Sequence, residues 1–232
     1  YAMSKSPTGP WEHKGHIMDH TPRNRGNHPG IADYKGHTYL FGQNYDIKNI
    51  DILRHYERRS VSFTEMKYNA DGTIQELPLW LDQEQNVQLE LFNPYRRVEA
   101  ETMNWGYGLK SAKIGFDNTG IVEKMPYSEG KREMYIYHLD KDEYIRLRGV
   151  DFGAGAKNYT ISAAGTGSAK LTIRLDSPDG EVVGTVNIKS TGKVEKYRQF
   201  STKINGASGV HDLYICIDEA EGDVRLDWWR FK

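Results

Sequence analysis

The sequence predicts an all-β protein in two units, and three observations carry that expectation. Short runs of alternating apolar and polar residues recur along the chain. Turns rich in Gly, Asn and Asp separate them. No amphipathic helical pattern persists for as many as about 12 residues. Many short strands joined by glycine-rich turns point to sandwiches, barrels or propellers rather than to layered helix–sheet folds.

The elements follow in order. Residues 37–45 (HTYLFGQNY) come after the turn Lys35-Gly36, and residues 60–69 (SVSFTEMKYN) run into Asp71-Gly72, with residues 73–79 (TIQELPL) leaving it. Both dipeptides are hairpin signals. Ser6-Pro7-Thr8-Gly9-Pro10 is a dense turn, and Trp11 begins its return strand. Further strands are expected over 143–152, 158–165, 169–177, 182–190, 211–218 and 223–231. Leu171, Ile173 and Leu175 point one way and Thr172, Arg174 and Asp176 the other, the pattern of a half-buried strand. Asp179-Gly180 then turns the chain into the next run.

Residues 81–90 (LDQEQNVQLE) are polar and weakly patterned, like a connector, and 96–102 (RRVEAET) opens a new strand. The boundary is therefore placed at about residue 93, giving units 1–93 and 94–232. The second unit has a comfortable size for a single core. The first, with about five plausible strands, is a poor stand-alone β-domain. Its successive short hairpins match propeller blades, which bury their faces only against neighbouring blades.

Charge and composition narrow the function. With 31 basic and 32 acidic residues the formal net charge is -1, so nothing draws the chain to a polyanion, and nucleic acid is excluded as an expected partner. No apolar run reaches the ~18 residues of a membrane-spanning helix. Aromatics make up 12% of residues, and flat aromatic faces suit both strand packing and sugar stacking. The one cysteine, Cys216, lies in an apolar strand and reads as an inert buried thiol. The chain opens on Tyr1 rather than Met, and is expected to be cut from something longer.

SKSPTGPWEHKGHIM, then NHPGI with DYKGHTYLFG, then RRSVSFTEMKYNADGTIQ, closely resemble the end of the five-bladed propeller of family 43 glycoside hydrolases, nearest to the arabinoxylan arabinofuranohydrolase and β-xylosidase branch. The resemblance covers about residues 1–80. It implies an inverting mechanism in which an Asp activates water and a Glu protonates the leaving oxygen. On that alignment the catalytic carboxylates precede Tyr1, so no catalytic residue is assigned and this chain alone is expected to be inactive. The resemblance places His28 near the propeller axis, beside the active site and near a central metal, often calcium, with Arg59 lining the same pocket.

In the second unit, Glu99 and Glu101 fall on one strand face by alternation, and Asp227 lies in the last strand, which in a sandwich often meets the first. Three carboxylates with backbone carbonyls would suit Ca²⁺; solvated surface charge is the plainer alternative. VEAET, GVDFGAGAKNYTISAAG, AKLTIRLDSPDGEVVGTVNIKSTG, SGVHDLYICI and LDWWRF resemble a family 6 carbohydrate-binding module across 95–232. The resemblance implies a jelly-roll, galactose-binding-like β-sandwich with a structural calcium at Glu99, Glu101 and Asp227. It also implies a sugar cleft, in which two positions depart from the family: Val194 stands where a Trp is usual and Arg225 where an Asn is usual. Tyr135, Tyr137 and Tyr197 remain as candidate sugar stackers, with core or rim packing as the alternative; a second cleft on the concave face, used by some members, stays open.

The expected function is the C-terminal part of a secreted hemicellulase acting on arabinoxylan or xylan, partnered by cell-wall polysaccharide and by the missing N-terminal propeller blades. Two other readings remain: a non-catalytic xylan-binding module, and a sandwich acting as structural glue between domains.

Overall fold

A computed structural model describes residues 1–18, 28–44, 60–80, 88, 90–113 and 134–232. Among these residues the fold is all-β, with no α-helix, and no helix is long and apolar enough to cross a membrane. The chain divides into two compact units, 1–89 and 90–232. The division falls before the expected boundary near residue 93 because the segment around Phe92 is built into the second unit. Phe92 N–H donates to Gly149 O at 2.8 Å, and its carbonyl accepts from Asp151 N–H at 2.9 Å.

In the first unit, β1 (Ala2–Met3) and β2 (Glu12–His13) form a short hairpin around the Ser6–Pro10 turn. A three-stranded antiparallel sheet follows, made of β3 (Gly30–Tyr34), β4 (His37–Asn44) and β5 (Ser60–Met66) in that order. Lys35 and Gly36 both take positive φ, 50° and 81°, the mirror-image turn whose twist suits a two-residue hairpin. Met18, Leu40, Met66, Leu79 and Trp80 make a small core. Residues 73–79 do not form the expected strand; only isolated bridges at Ile74 and Leu77 are present. Asp71 explains part of the departure: its side chain accepts from both Thr73 N–H and Thr73 Oγ1, bending the chain into a local turn.

The second unit is a sandwich of two antiparallel sheets. Its strands are β6 (Val98–Glu99), β7 (Trp105–Tyr107), β8 (Lys110–Lys113), β9 (Met134–Tyr137), β10 (Tyr144–Asp151), β11 (Asn158–Gly165), β12 (Ser168–Leu175), β13 (Val182–Ile188), β14 (Arg198–Lys203), β15 (Val210–Glu221) and β16 (Val224–Phe231). One sheet runs β13-β12-β15-β10-β7; the other runs β14-β11-β16-β9-β8, with β6 also on β16. Leu171, Ile173 and Leu175 are buried as expected, with Arg174 half-exposed and Asp176 exposed, but Thr172, expected outward with them, is buried at 4% exposure, its hydroxyl donating to Asp218 Oδ1 at 2.8 Å. Between the sheets Phe152, Tyr159, Trp229 and Phe231 interlock edge-to-face and stacked, with centroids 5.0–6.2 Å apart. Cys216 is buried, and burial pushes its thiol up to about 11, which leaves it protonated and inert at neutral pH.

Candidate functional site

Three side-chain groups of the sandwich carry chemistry, each placed by a different strand junction. The first lies where β6 meets β16. Glu99 pairs with Trp228 across the two strands, and Ala100 N–H donates to Asp227 O at 2.8 Å. The strand ends at Glu99, and a turn closed by Thr102 N–H on Glu99 O (2.9 Å) carries Glu101. Strand alternation is therefore not what assembles the acidic group, as had been expected. The turn brings Glu101 round, and a register shift between Ser162 and Ala163 leaves Asp227 as the extra residue on β16.

The electrostatics of this group are those of crowded carboxylates. Burial first, then the charges of Glu99 and Asp227, raise the Glu101 carboxyl above its ordinary value, and its Oε2 is buried with no hydrogen-bond partner. Arg97 supplies positive charge: its guanidinium donates to both Glu99 oxygens at 2.8 and 3.0 Å and stands 3.6 Å from Asp227 Oδ1. Ser162 Oγ donates to Asp227 Oδ2 at 3.1 Å. In donor type the set fits a hard cation, and the orphaned Glu101 oxygen is the atom such an ion would satisfy. Among the described residues no three acidic, His or Cys side chains converge as a ready cage.

The second group lies at the end of the six-stranded sheet where β9 runs beside β16. Tyr135 and Tyr137 share one strand face, 5.7 Å apart and T-shaped. Tyr135 is only 1% exposed, and the Arg225 guanidinium lies 4.7 Å over its ring. Tyr137 is half-exposed, and Tyr197 half-buried with its hydroxyl oxygen inside. Val194 is half-buried in the loop after β13. Tyr135 therefore presents no open face to a ligand in this arrangement.

The third group was not singled out from the sequence. Tyr107, Tyr144 and Tyr214 form a row on the outer face of the five-stranded sheet, across β7, β10 and β15. Tyr107 and Tyr144 are direct cross-strand partners with rings parallel within 9° at 5.4 Å, and Tyr214 lies 5.4 Å from Tyr144. Arg146 sits over Tyr214 at 5.7 Å and donates to Asp212 at 2.7 Å. Burial alone would raise Asp212, but hydrogen bonds from Arg146 and the Gly149 N–H, with the charges of Arg146 and Arg148, hold its carboxyl below its ordinary value. Aromatic rings beside a fixed Arg–carboxylate pair offer sugar rings an apolar surface and their hydroxyls both donors and acceptors. The readable signal was the outward parity of these tyrosines on neighbouring strands.

In the first unit, His28 is exposed, with φ 46°, just ahead of β3. Arg59 lies outside the described residues.

Comparison with known proteins bears on both units. A family model described as carbohydrate binding module (family 6) matches residues 99–232. Over its whole length the chain is 29% identical to an arabinoxylan arabinofuranohydrolase of Bacillus subtilis, of which it covers 44%. It matches the crystal structure of a glycoside hydrolase family 43 arabinoxylan arabinofuranohydrolase from Bacillus subtilis, in complex with cellotetraose, with a TM-score of 0.78 and 28% identity, over 100% of this chain and 47% of that one. A family 6 carbohydrate-binding module from Clostridium cellulolyticum in complex with xylose is 26% identical with a TM-score of 0.51, over 61% of this chain and 99% of that one. The chain thus spans under half the length of this curated relative.

Proposed function

We propose, from the premise that this chain belongs to carbohydrate-binding module family 6 through residues 99–232, that it is the C-terminal, polysaccharide-holding part of a secreted hemicellulose-degrading glycoside hydrolase. The observation that carries this reading is the likeness of the whole chain, hairpin unit and sandwich together, to an arabinoxylan arabinofuranohydrolase. The parent enzyme releases arabinose branches from arabinoxylan, or xylose from xylan fragments, by single displacement with inversion. The first unit is then the last part of a β-propeller, with His28 and Arg59 beside its pocket and a calcium ion near the axis. The catalytic carboxylates belong to earlier blades. The exposed apolar side chains Phe41, Phe63 and Val61 support this, since a blade covers such a face with its neighbour.

Within the sandwich, xylan lies on the Tyr107–Tyr144 pair, with Tyr214, itself only 6% exposed, packed behind Tyr144, and with Arg146 and Asp212 addressing hydroxyls. Tyr107 is 37% exposed, whereas Tyr135 is sealed, and that contrast favours this face over the β9–β16 end for a neutral chain. Calcium is held by Glu101 and Asp227, with Glu99 as third carboxylate and Arg97 displaced outward. Its role is to close the first strand onto the last.

Titrating the chain with xylohexaose, with and without EDTA, tests the reading. Binding in the micromolar-to-millimolar range is expected, and Tyr144→Ala should weaken it roughly tenfold. EDTA should lower the melting temperature more than it lowers affinity. Absence of heat at millimolar sugar would leave the sandwich as a structural partner of the propeller.

A further inference from the structure

Among the described residues, the β9–β16 end of the sandwich sets a guanidinium where a neutral sugar would need only an open aromatic face. Arg225 covers Tyr135 at 4.7 Å, and the carboxylate in contact with it, Asp223, is 3.5 Å from its nitrogen, at the outer limit of a hydrogen bond. The loop between β13 and β14 brings further basic residues toward the same end. Residues 189–198 carry Lys189, Lys193, Lys196 and Arg198 against Glu195 alone. That loop is pinned in place by Thr191, whose N–H donates to Gly165 O at 2.9 Å and whose Oγ1 accepts from Gly165 N–H at 3.0 Å. Gly165 is next to Ala164, the strand partner of Arg225.

A neutral sugar offers this guanidinium only hydroxyls and must displace it to reach the Tyr135 ring. A carboxylate fits its planar fork with two parallel hydrogen bonds, and the guanidinium can meet it while still resting on the ring. We propose that Arg225 makes this end of the module a subsite for a uronic acid, a sugar bearing a carboxylate, carried as a branch on xylan, with half-exposed Tyr137 flanking the sugar ring. The inference rests on the carbohydrate-binding reading above and narrows its ligand class. Backbone and branch are then read at separate places, the tyrosine row and the arginine end.

The test is a calorimetric titration of the whole chain with xylotetraose, with a glucuronate-branched xylotriose, and with trigalacturonate. The branched acid is expected to bind about tenfold tighter than the neutral sugar at low salt, a margin that shrinks in high salt as the charges are screened. Arg225→Gln should equalise the two. Arg225→Lys, which keeps the charge without the fork, should retain a reduced preference, and it serves if the glutamine variant melts early. Trigalacturonate binding as tightly as the branched acid keeps the carboxylate subsite but overturns its assignment to a xylan branch. Equal affinities in the unmodified chain, or a preference that survives in Arg225→Gln, overturn the proposal. Absence of heat from every sugar overturns the carbohydrate reading and this inference with it.

Discussion

The two units dispose of their apolar residues in opposite ways. In the sandwich, strands of both sheets send side chains into one core, where Phe152, Tyr159, Trp229 and Phe231 are wholly buried. In the hairpin unit, Leu40 and Met66 are buried on one sheet face, but Phe41 and Phe63, stacked at 5.8 Å on the other, remain exposed, and Val61 beside them is 80% exposed. A sandwich supplies its own second layer, whereas among the described residues the three-stranded sheet buries one face and, apart from Tyr39 at 6% exposure, leaves the aromatic side chains of the other open. Both units are rich in apolar strand residues; what differs among the described residues is whether a partner layer covers both faces of the sheet.

The sharpest way to break that contrast is to remove a core side chain. Trp229→Ala should cost the sandwich about 3–5 kcal/mol, seen as a large drop in the upper calorimetric transition, while Leu40→Ala should act on the hairpin unit alone. A single shared transition shifted by both would show that the units do not melt separately. Next in size is the carboxylate group. Arg97→Ala removes the charge balancing Glu99 and should cost about 1 kcal/mol or less in EDTA, given its exposure. Added calcium should restore the loss, and an unchanged melting temperature on calcium addition would speak against the ion.

A smaller effect comes from Glu101. Its raised folded-state pKa means that the native protein keeps a proton the unfolded chain has released. Its contribution is therefore full below the unfolded value of about 4.3 and declines as pH rises through the folded value. Asp212, held low, has the opposite sign, its contribution falling away only in acid. In EDTA, melting curves of the natural chain minus those of Glu101→Gln should show the Glu101 decline alone; a flat difference would refute the assignment. Smallest of all, Phe63→Thr on the exposed face should change stability by no more than about 0.5 kcal/mol while reducing self-association in light scattering.

Alternation made most of the sandwich legible. Residues 158–165 form β11 over the expected span, and β10, β12, β13, β15 and β16 fall within a few residues of theirs. Strand β14 escaped notice because Arg198, Gln199, Ser201 and Lys203 are exposed on an edge, leaving Phe200 and Thr202 as the half-buried positions. The site was less legible, for a physical reason: its groups are assembled across strands. Tyr107, Tyr144 and Tyr214 are far apart in sequence and meet only through register. That Tyr135 and Tyr137 share a face was readable from their spacing. That Arg225 would lie on Tyr135 was not, since it depends on how β9 runs beside β16.

Trp229 sits in the driest part of the sandwich, stacked on Tyr159, whereas Trp11 of the hairpin unit is 61% exposed. The chain therefore carries its own pair of optical gauges. With the other three tryptophans, Trp80, Trp105 and Trp228, replaced by Phe, a dissolved quencher should dim Trp11 at once but reach Trp229 only when the two sheets part, so the colour and quenching of the emission record which unit is open.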